Sequence, residues 1–153
     1  MASNTTLCAN NVNVQSLNAG TLTNLKKVLN ISDSSHQLTL TDTGSLVIVS
    51  NSSGATTLTL PAVADSAGFH VHIIFQTVED HVVNGGGGKI QGSSLDNGAG
   101  TNTLARTDIS DITTITLQNS AAHDFLEIMG DGTNFYVNGI LNDTPTCDCA
   151  AKL

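Results

Sequence analysis

The stretch FHVHIIFQ, residues 69–76, decides the fold, because its apolar side chains recur at every second position. A period of two is that of a β-strand, in which successive side chains point to opposite faces. The set that contains both phenylalanines has to face the core, since a slip of one residue would expose both rings. This inward set is Phe69, Val71, Ile73 and Phe75. The stretch therefore predicts a half-buried strand.

The same period continues on both sides of this strand. Upstream, 38–40 alternates in the same way, 46–49 is a continuous apolar run as expected for a strand covered on both sides, and 57–60 alternates again. Downstream, apolar residues within 112–117, 125–129 and 135–137 rebuild a sheet. Turn residues at 42–44 predict a hairpin between the first two segments, and those at 130–134 predict one between the last two.

Four consecutive glycines at 85–88 and a polar stretch at 92–102 interrupt the pattern. Glycine loses more backbone entropy on ordering than any other residue. We therefore expect this region to be a mobile excursion or a loop held by a partner.

Roughly nine or ten short strands with hardly a helix predict an all-β fold, either an antiparallel β-sandwich or a jelly-roll-like barrel. A solenoid is the alternative, but the sequence has no fixed repeat of about 20 to 50 residues. The expected organisation is an extended N-terminal arm at 1–35, a β-sandwich domain at 36–141 and a C-terminal tail at 142–153.

The N-terminal arm is rich in Asn and Thr, and its apolar residues follow loose steps of three and four. One short helix could form over 25–29, but it is too short to be stable alone. We expect an arm that orders on a neighbouring subunit. The residues predicted to bind the partner are Leu17, Leu22, Leu25, Val28 and Leu29.

The composition argues against several classes of partner. Charged residues make up 12% of the chain, and 13 acidic against 5 basic residues give a net charge of −8, which disfavours nucleic acid. No apolar run approaches the roughly 18 residues of a membrane span, and no signal peptide is apparent, so we expect a soluble product of the cytoplasm. Cys8, Cys147 and Cys149 are too few and too peripheral for a disulfide framework. Free thiols are expected, with an intermolecular disulfide as the alternative.

Residues for catalysis are not apparent in the sequence. The glycine run lacks the following helix and Lys-Ser/Thr pair of a phosphate-binding loop, and no Gly-x-Ser-x-Gly motif occurs. Neither an enzyme nor a bound cofactor is expected. The one metal candidate is the pair His70 and His72, whose imidazoles share the face opposite the core. Three copies around a threefold axis could gather six imidazoles round one ion, whereas two exposed or subunit-facing histidines are the simpler interpretation.

Two motifs resemble a recurring pattern in bacteriophage structural proteins. They are TTLTLPA at 56–62, followed by Gly68, and EIMGDGTNFYVNG at 127–139. Together they are similar to the β-domains of head-decoration, head-fibre and tail-fibre proteins, over roughly residues 38–140. This resemblance implies a strand leading into a turn at the first motif. It also implies a terminal hairpin whose aromatic residue, Phe135 where Trp is common, packs in the core.

The resemblance implies a virion structural protein: a capsid decoration or cement protein on the capsid surface. Such proteins bind the assembled shell, generally as homotrimers, and tie neighbouring major capsid protein subunits together. A fibre, spike or tail component, possibly receptor-binding, is the alternative. A secreted carbohydrate-binding sandwich is a third, disfavoured by the absence of Trp and the single Tyr.

Overall fold

The computed structural model describes residues 27–96, 105–117, 124–141 and 146–147, which form an all-β fold. The strands are β1 (Val28–Ile31), β2 (Ser35–Gln37), β3 (Leu46–Val49), β4 (Thr57–Thr59), β5 (His70–Phe75), β6 (His81–Asn84), β7 (Lys89–Asp96), β8 (Ala105–Ile112), β9 (Thr114–Leu117), β10 (Phe125–Gly130), β11 (Asn134–Leu141) and β12 (Thr146–Cys147). Two single 3₁₀ turns, Leu40–Asp42 and Val63–Asp65, are the helical segments of the described ranges. Over those ranges, no helix has the length and apolar character needed to cross a membrane.

The strands form two mixed sheets. The seven-stranded sheet has the order β1-β3-β5-β10-β11-β7-β8, and the five-stranded sheet has the order β12-β9-β6-β4-β2. The predicted all-β class is confirmed, but the purely antiparallel arrangement was wrong, because β1–β3, β3–β5, β2–β4, β4–β6 and β7–β11 are parallel pairs. Neither sheet closes into a barrel, so the architecture is sandwich-like.

The first six strands wind back and forth between the two sheets. Odd-numbered strands β1, β3 and β5 stack in parallel in one sheet, while even-numbered β2, β4 and β6 stack in parallel in the other. This winding is the local geometry of a solenoid. Val28, Leu46 and His72 occupy equivalent positions of successive turns, and their unequal spacing explains why no fixed repeat is visible.

One buried cluster takes side chains from both sheets. All four inward residues predicted around β5 belong to it, each at most 1% exposed. Phe75 of β5 stacks on His81 of β6 with ring centroids 5.2 Å apart, which joins the two layers. The core is therefore filled mainly by Leu, Ile and Val, with three buried phenylalanines as its largest side chains.

The predicted terminal hairpin is confirmed. Strands β10 and β11 pair antiparallel, and Phe135 is completely buried edge-on to Phe69, with ring centroids 6.3 Å apart. The turn is held by Asp131, whose Oδ1 accepts hydrogen bonds from the backbone N–H groups of Thr133 and Asn134, both at 2.7 Å. These bonds lower the pKa of Asp131.

Other local predictions were wrong. No hairpin joins 38–40 to 46–49: Leu38 is buried, Leu40 is exposed within a 3₁₀ turn, and the flanking strands lie in different sheets. The helix predicted over 25–29 does not include Val28 and Leu29, because these two residues begin β1 and pair with β3. The sheet thus starts before the domain boundary predicted at residue 36.

The glycine run is a tight turn between β6 and β7 and is well packed. Gly85 and Gly88 are buried, and the N–H of Gly88 donates to the carbonyl of Gly85 at 2.8 Å. A Cβ at Gly88 would crowd Val63 and Phe135. Close packing explains Gly85, Gly86 and Gly88, at each of which a Cβ would lie within 3.0 Å of a neighbouring atom, whereas Gly87 has open space and a φ of +89°. The predicted excursion was wrong also for 92–96, which belong to β7; residues 97–102 lie outside the described ranges.

Candidate functional site

The side of the seven-stranded sheet that faces away from the core carries the chemically distinctive side chains. Strand register and burial place there, from one edge strand towards the other, Val28, Asn30, Leu46, Ile48, His70, His72, Ile74, Phe125, Glu127, Met129, Tyr136, Asn138, Ile140, Gln91, Ser93 and Leu95. We call this surface the outer face.

One row of the outer face is apolar across five adjacent strands. In register, Ile48 of β3 lies beside Ile74 of β5, then come Phe125 of β10, Ile140 of β11 and Leu95 of β7. With strands about 4.8 Å apart, this apolar row is about 19 Å long. Ile140 is 43% exposed and Leu95 38% exposed. Contiguous exposed apolar surface of this kind marks interaction sites.

The outward side of the five-stranded sheet is different. Its outward positions on β4, β6 and β9 are Thr57, Thr59, Val82, Asn84, Thr114 and Thr116. This surface is dominated by threonine, as expected of a sheet face in contact with water. The apolar character is therefore a property of one sheet and does not follow from composition alone.

A histidine–carboxylate cluster lies next to the apolar row. The cross-strand register places Glu127 of β10 opposite His72 of β5, with His70 one position along on the same face. Nε2 of His70 is 2.9 Å from Oε1 of Glu127, and Nε2 of His72 is 3.8 Å from the same oxygen. The two imidazole rings meet edge-to-face with centroids 4.8 Å apart.

The cluster joins two predicted candidates to one that the sequence analysis missed. His70 and His72 project away from the core, as their alternation predicts. Glu127 could be assigned to the outward side of its strand from the alternation of Leu126, Glu127 and Ile128. What the sequence does not show is that β10 pairs with β5 in this register. One potential ligand atom from each residue lies within 4.8 Å of the others.

His81 lies elsewhere and has a structural environment. It is fully buried, and its Nδ1 accepts a hydrogen bond from the backbone N–H of Thr56 at 3.1 Å. The proton is therefore on Nε2, which lies 3.1 Å from the hydroxyl oxygen of Thr77. Burial lowers the pKa of His81, although the backbone of Thr77 and the charges of Glu79 and Asp80 act in the opposite direction. The buried ring is neutral at physiological pH.

The predicted partner-binding residues are only partly described. Val28 is 51% exposed at the edge of the outer face, whereas Leu29 packs against the core. Leu17, Leu22 and Leu25 lie outside the described residues, as do Cys8 and Cys149. The backbone of Cys147, in β12, pairs with Ile115 of β9.

Comparison of the sequence with protein-family models and with curated proteins found no match.

Proposed function

We propose that the protein is a non-catalytic virion component: a capsid decoration protein that binds the assembled shell as a homotrimer and stabilises contacts between major capsid protein subunits. The observation that carries this proposal is the apolar outer face of the seven-stranded sheet, which contrasts with the threonine-rich face of the other sheet. We assign the outer face, together with the N-terminal arm, to the contact with the capsid.

The local structure of the two resemblance motifs supports the proposal. Residues 57–59 form β4, and the chain then leaves the sheet through the 3₁₀ turn at Val63–Asp65. The second motif is a hairpin whose aromatic residue lies in the core. Both features agree with what the decoration and fibre β-domains imply for these positions.

The chemistry of the outer face suits a protein partner. Burying a large aliphatic side chain contributes roughly 1.5 to 3 kcal/mol, so the exposed parts of Ile140 and Leu95 contribute about 1 kcal/mol each. A single face of this kind gives modest affinity, because association also costs translational and side-chain entropy. A trimer multiplies the contact through effective concentration.

The stabilising effect follows from linkage. A protein that binds only the assembled shell lowers the free energy of that state, by about 2.7 kcal/mol per site at a free concentration of 100 times Kd.

The test is binding of purified protein to particles that lack it. Ile140→Lys places a charge in the apolar row and is expected to weaken binding about tenfold or more per contact, since 1.4 kcal/mol is a factor of ten. Val78→Lys is the matched control, because Val78 is 61% exposed in the loop between β5 and β6 and lies off the outer face. Equal binding by both variants would contradict the role of the outer face.

Two further measurements address the trimer and the arm. Light scattering after size exclusion should give three times 15.8 kDa, and a monomer at micromolar concentration would count against a preassembled trimer. A deletion of residues 1–26 removes most of the arm but keeps every described strand. It should abolish particle binding while the β-domain stays folded, and undiminished binding would refute the role of the arm.

A fibre or spike component is the second candidate, and the parallel winding of residues 28–84 favours it. Strands stacked in this way present the same faces turn after turn, which suits an elongated assembly. Copy number in purified virions separates the two candidates. A decoration protein should scale with the number of capsid subunits, and a fibre should be limited to a few copies at vertices or the tail.

A further inference from the structure

We infer that His70, His72 and Glu127 form a binding site for a divalent transition-metal ion, with Zn²⁺ as the representative ion. The inference is independent of the proposed virion function, because it concerns a property of the single folded chain.

The donor set has the right chemistry. Two imidazole nitrogens and one carboxylate oxygen form a ligand set used for zinc with an open fourth position, and for other divalent ions of the first transition series. Magnesium and calcium prefer all-oxygen ligands, so two imidazoles out of three donors argue against them. Two neutral imidazoles and one carboxylate leave a divalent ion with one net positive charge. They also leave a coordination position open, which a water molecule or an anion can occupy.

The distances are close to those that coordination requires. Metal–ligand bonds of about 2.1 Å place tetrahedral ligand atoms about 3.4 Å apart. Oε1 of Glu127 is 2.9 Å from Nε2 of His70 and 3.8 Å from Nε2 of His72, and all three potential ligand atoms lie within 4.8 Å of one another. Each separation thus differs from the tetrahedral value by at most about 1.4 Å, a shift of the size that side-chain rotation can supply.

The backbone holds these side chains in place. Strand β5 is paired on both sides, with β3 and β10, and β10 is paired on both sides, with β5 and β11. The three ligands therefore project from the middle of the sheet rather than from loops. Sites built on regular elements hold their geometry better than sites built on loops.

The surroundings of the cluster also favour ion binding. Leu46 lies opposite His72 and Met129 opposite His70 on the neighbouring strands, and the apolar row begins one position further along. Apolar neighbours limit water access and strengthen the attraction between the ion and its ligands. The side chains of His70 and His72 remain 37% and 41% exposed, which leaves a route for the ion to enter.

The alternative without an ion is a cross-strand pair in which His70 and Glu127 share a hydrogen bond at 2.9 Å. Such pairs occur on sheet surfaces and need no metal. The experiment must therefore distinguish a site in which all three side chains bind the ion from a hydrogen-bonded pair that binds zinc only weakly, through histidine alone.

The experiment is calorimetric titration of Zn²⁺ into the full chain, produced without a polyhistidine tag and stripped with a chelator. We expect saturation at one ion per chain and a zinc-dependent rise in Tm. Loss of a residue that only hydrogen-bonds to a metal ligand typically weakens metal binding by about 10- to 100-fold. Removing a direct ligand by His72→Ala or Glu127→Gln should therefore raise Kd at least tenfold and reduce the rise in Tm.

His36→Ala is the matched control, because His36 lies on β2 in the other sheet. It removes one histidine and should leave Kd unchanged. Glu127→Gln is the decisive variant, since it keeps the size and shape of the side chain and one acceptor oxygen, but replaces the other oxygen by an NH2 donor and removes the negative charge. Absence of saturable binding in the unmodified chain, or a Glu127→Gln variant that binds as tightly as the unmodified chain, overturns the inference.

Discussion

Substitution of Gly92 by alanine tests the pairing of β7 with β11, which joins β7 and β8 to the rest of the seven-stranded sheet. Gly92 has a φ of +140° and lies at the irregularity in the β7–β8 ladder. A Cβ there would overlap the carbonyl oxygen of Val137 on β11. Gly54 provides the control, because its φ of +146° is almost the same but no heavy atom lies within 4 Å of its virtual Cβ.

The two variants separate backbone strain from steric overlap. Gly54→Ala should cost about 1 to 3 kcal/mol, the cost of holding a side chain in this region of φ. Gly92→Ala carries the same strain and must also displace the Val137 carbonyl, which breaks about two ladder hydrogen bonds at roughly 0.5 to 1.5 kcal/mol each. The total of about 2 to 6 kcal/mol is a large part of the 5 to 15 kcal/mol that stabilises a typical domain.

The measurement is urea-induced unfolding of the two variants and the unmodified chain, compared by midpoint at constant slope. Gly92→Ala should unfold at clearly lower urea than Gly54→Ala. If the two midpoints fall by the same amount, the contact between β7 and β11 at Val137 is not as close as the structure describes.

Three further perturbations have expected outcomes. Phe135→Ala should lower the free energy of unfolding by about 3 to 5 kcal/mol in denaturant titrations, because it opens a cavity beside Phe69. The lowered pKa of His81 means that the unfolded chain binds the proton more readily, so stability should fall as pH drops below about 6.5, with a smaller slope in His81→Gln; identical slopes would contradict this. For Asp42, burial opposes ionisation, but hydrogen bonds from Lys27 and Thr39 outweigh it and lower the pKa, so its contribution is present above about pH 3.9 and is lost as pH falls through the folded-state pKa. Asp42→Asn should accordingly be less stable at pH 7 by roughly 1 to 3 kcal/mol, and the difference should shrink in acid.

The sequence predicted what depends on alternation along one segment. Strand β5, strand β4 and the β10–β11 hairpin were identified because side-chain period and turn residues are local signals. The parallel winding of the first six strands could not be predicted in this way, since it depends on which distant segment lies beside each strand. Leu38 illustrates the difference. The alternation at 38–40 marked it as a core residue, and it is buried, but it follows β2 of the five-stranded sheet, whereas its predicted hairpin partner 46–49 forms β3 of the seven-stranded sheet.

The candidate site shows the same division. The outward direction of His70 and His72 followed from the phenylalanines at 69 and 75. Their partner Glu127 is more than fifty positions away, and only the β5–β10 register brings it near. The glycines at 85–88 were misinterpreted because entropy was weighed without two local requirements of this turn: close packing at Gly85, Gly86 and Gly88, and a positive φ at Gly87.

The mixed topology has a consequence for synthesis on the ribosome. The six strands of the winding can associate as soon as residues up to 84 have emerged. The second edge of β5 stays unpaired until β10 has been synthesised, and β7 has no β11 to pair with until residue 141 has been added. During translation the nascent chain therefore exposes an unsatisfied strand edge beside the histidine-bearing segment. Slow decoding between residues 85 and 141 would lengthen that exposure and favour wrong intermolecular pairing.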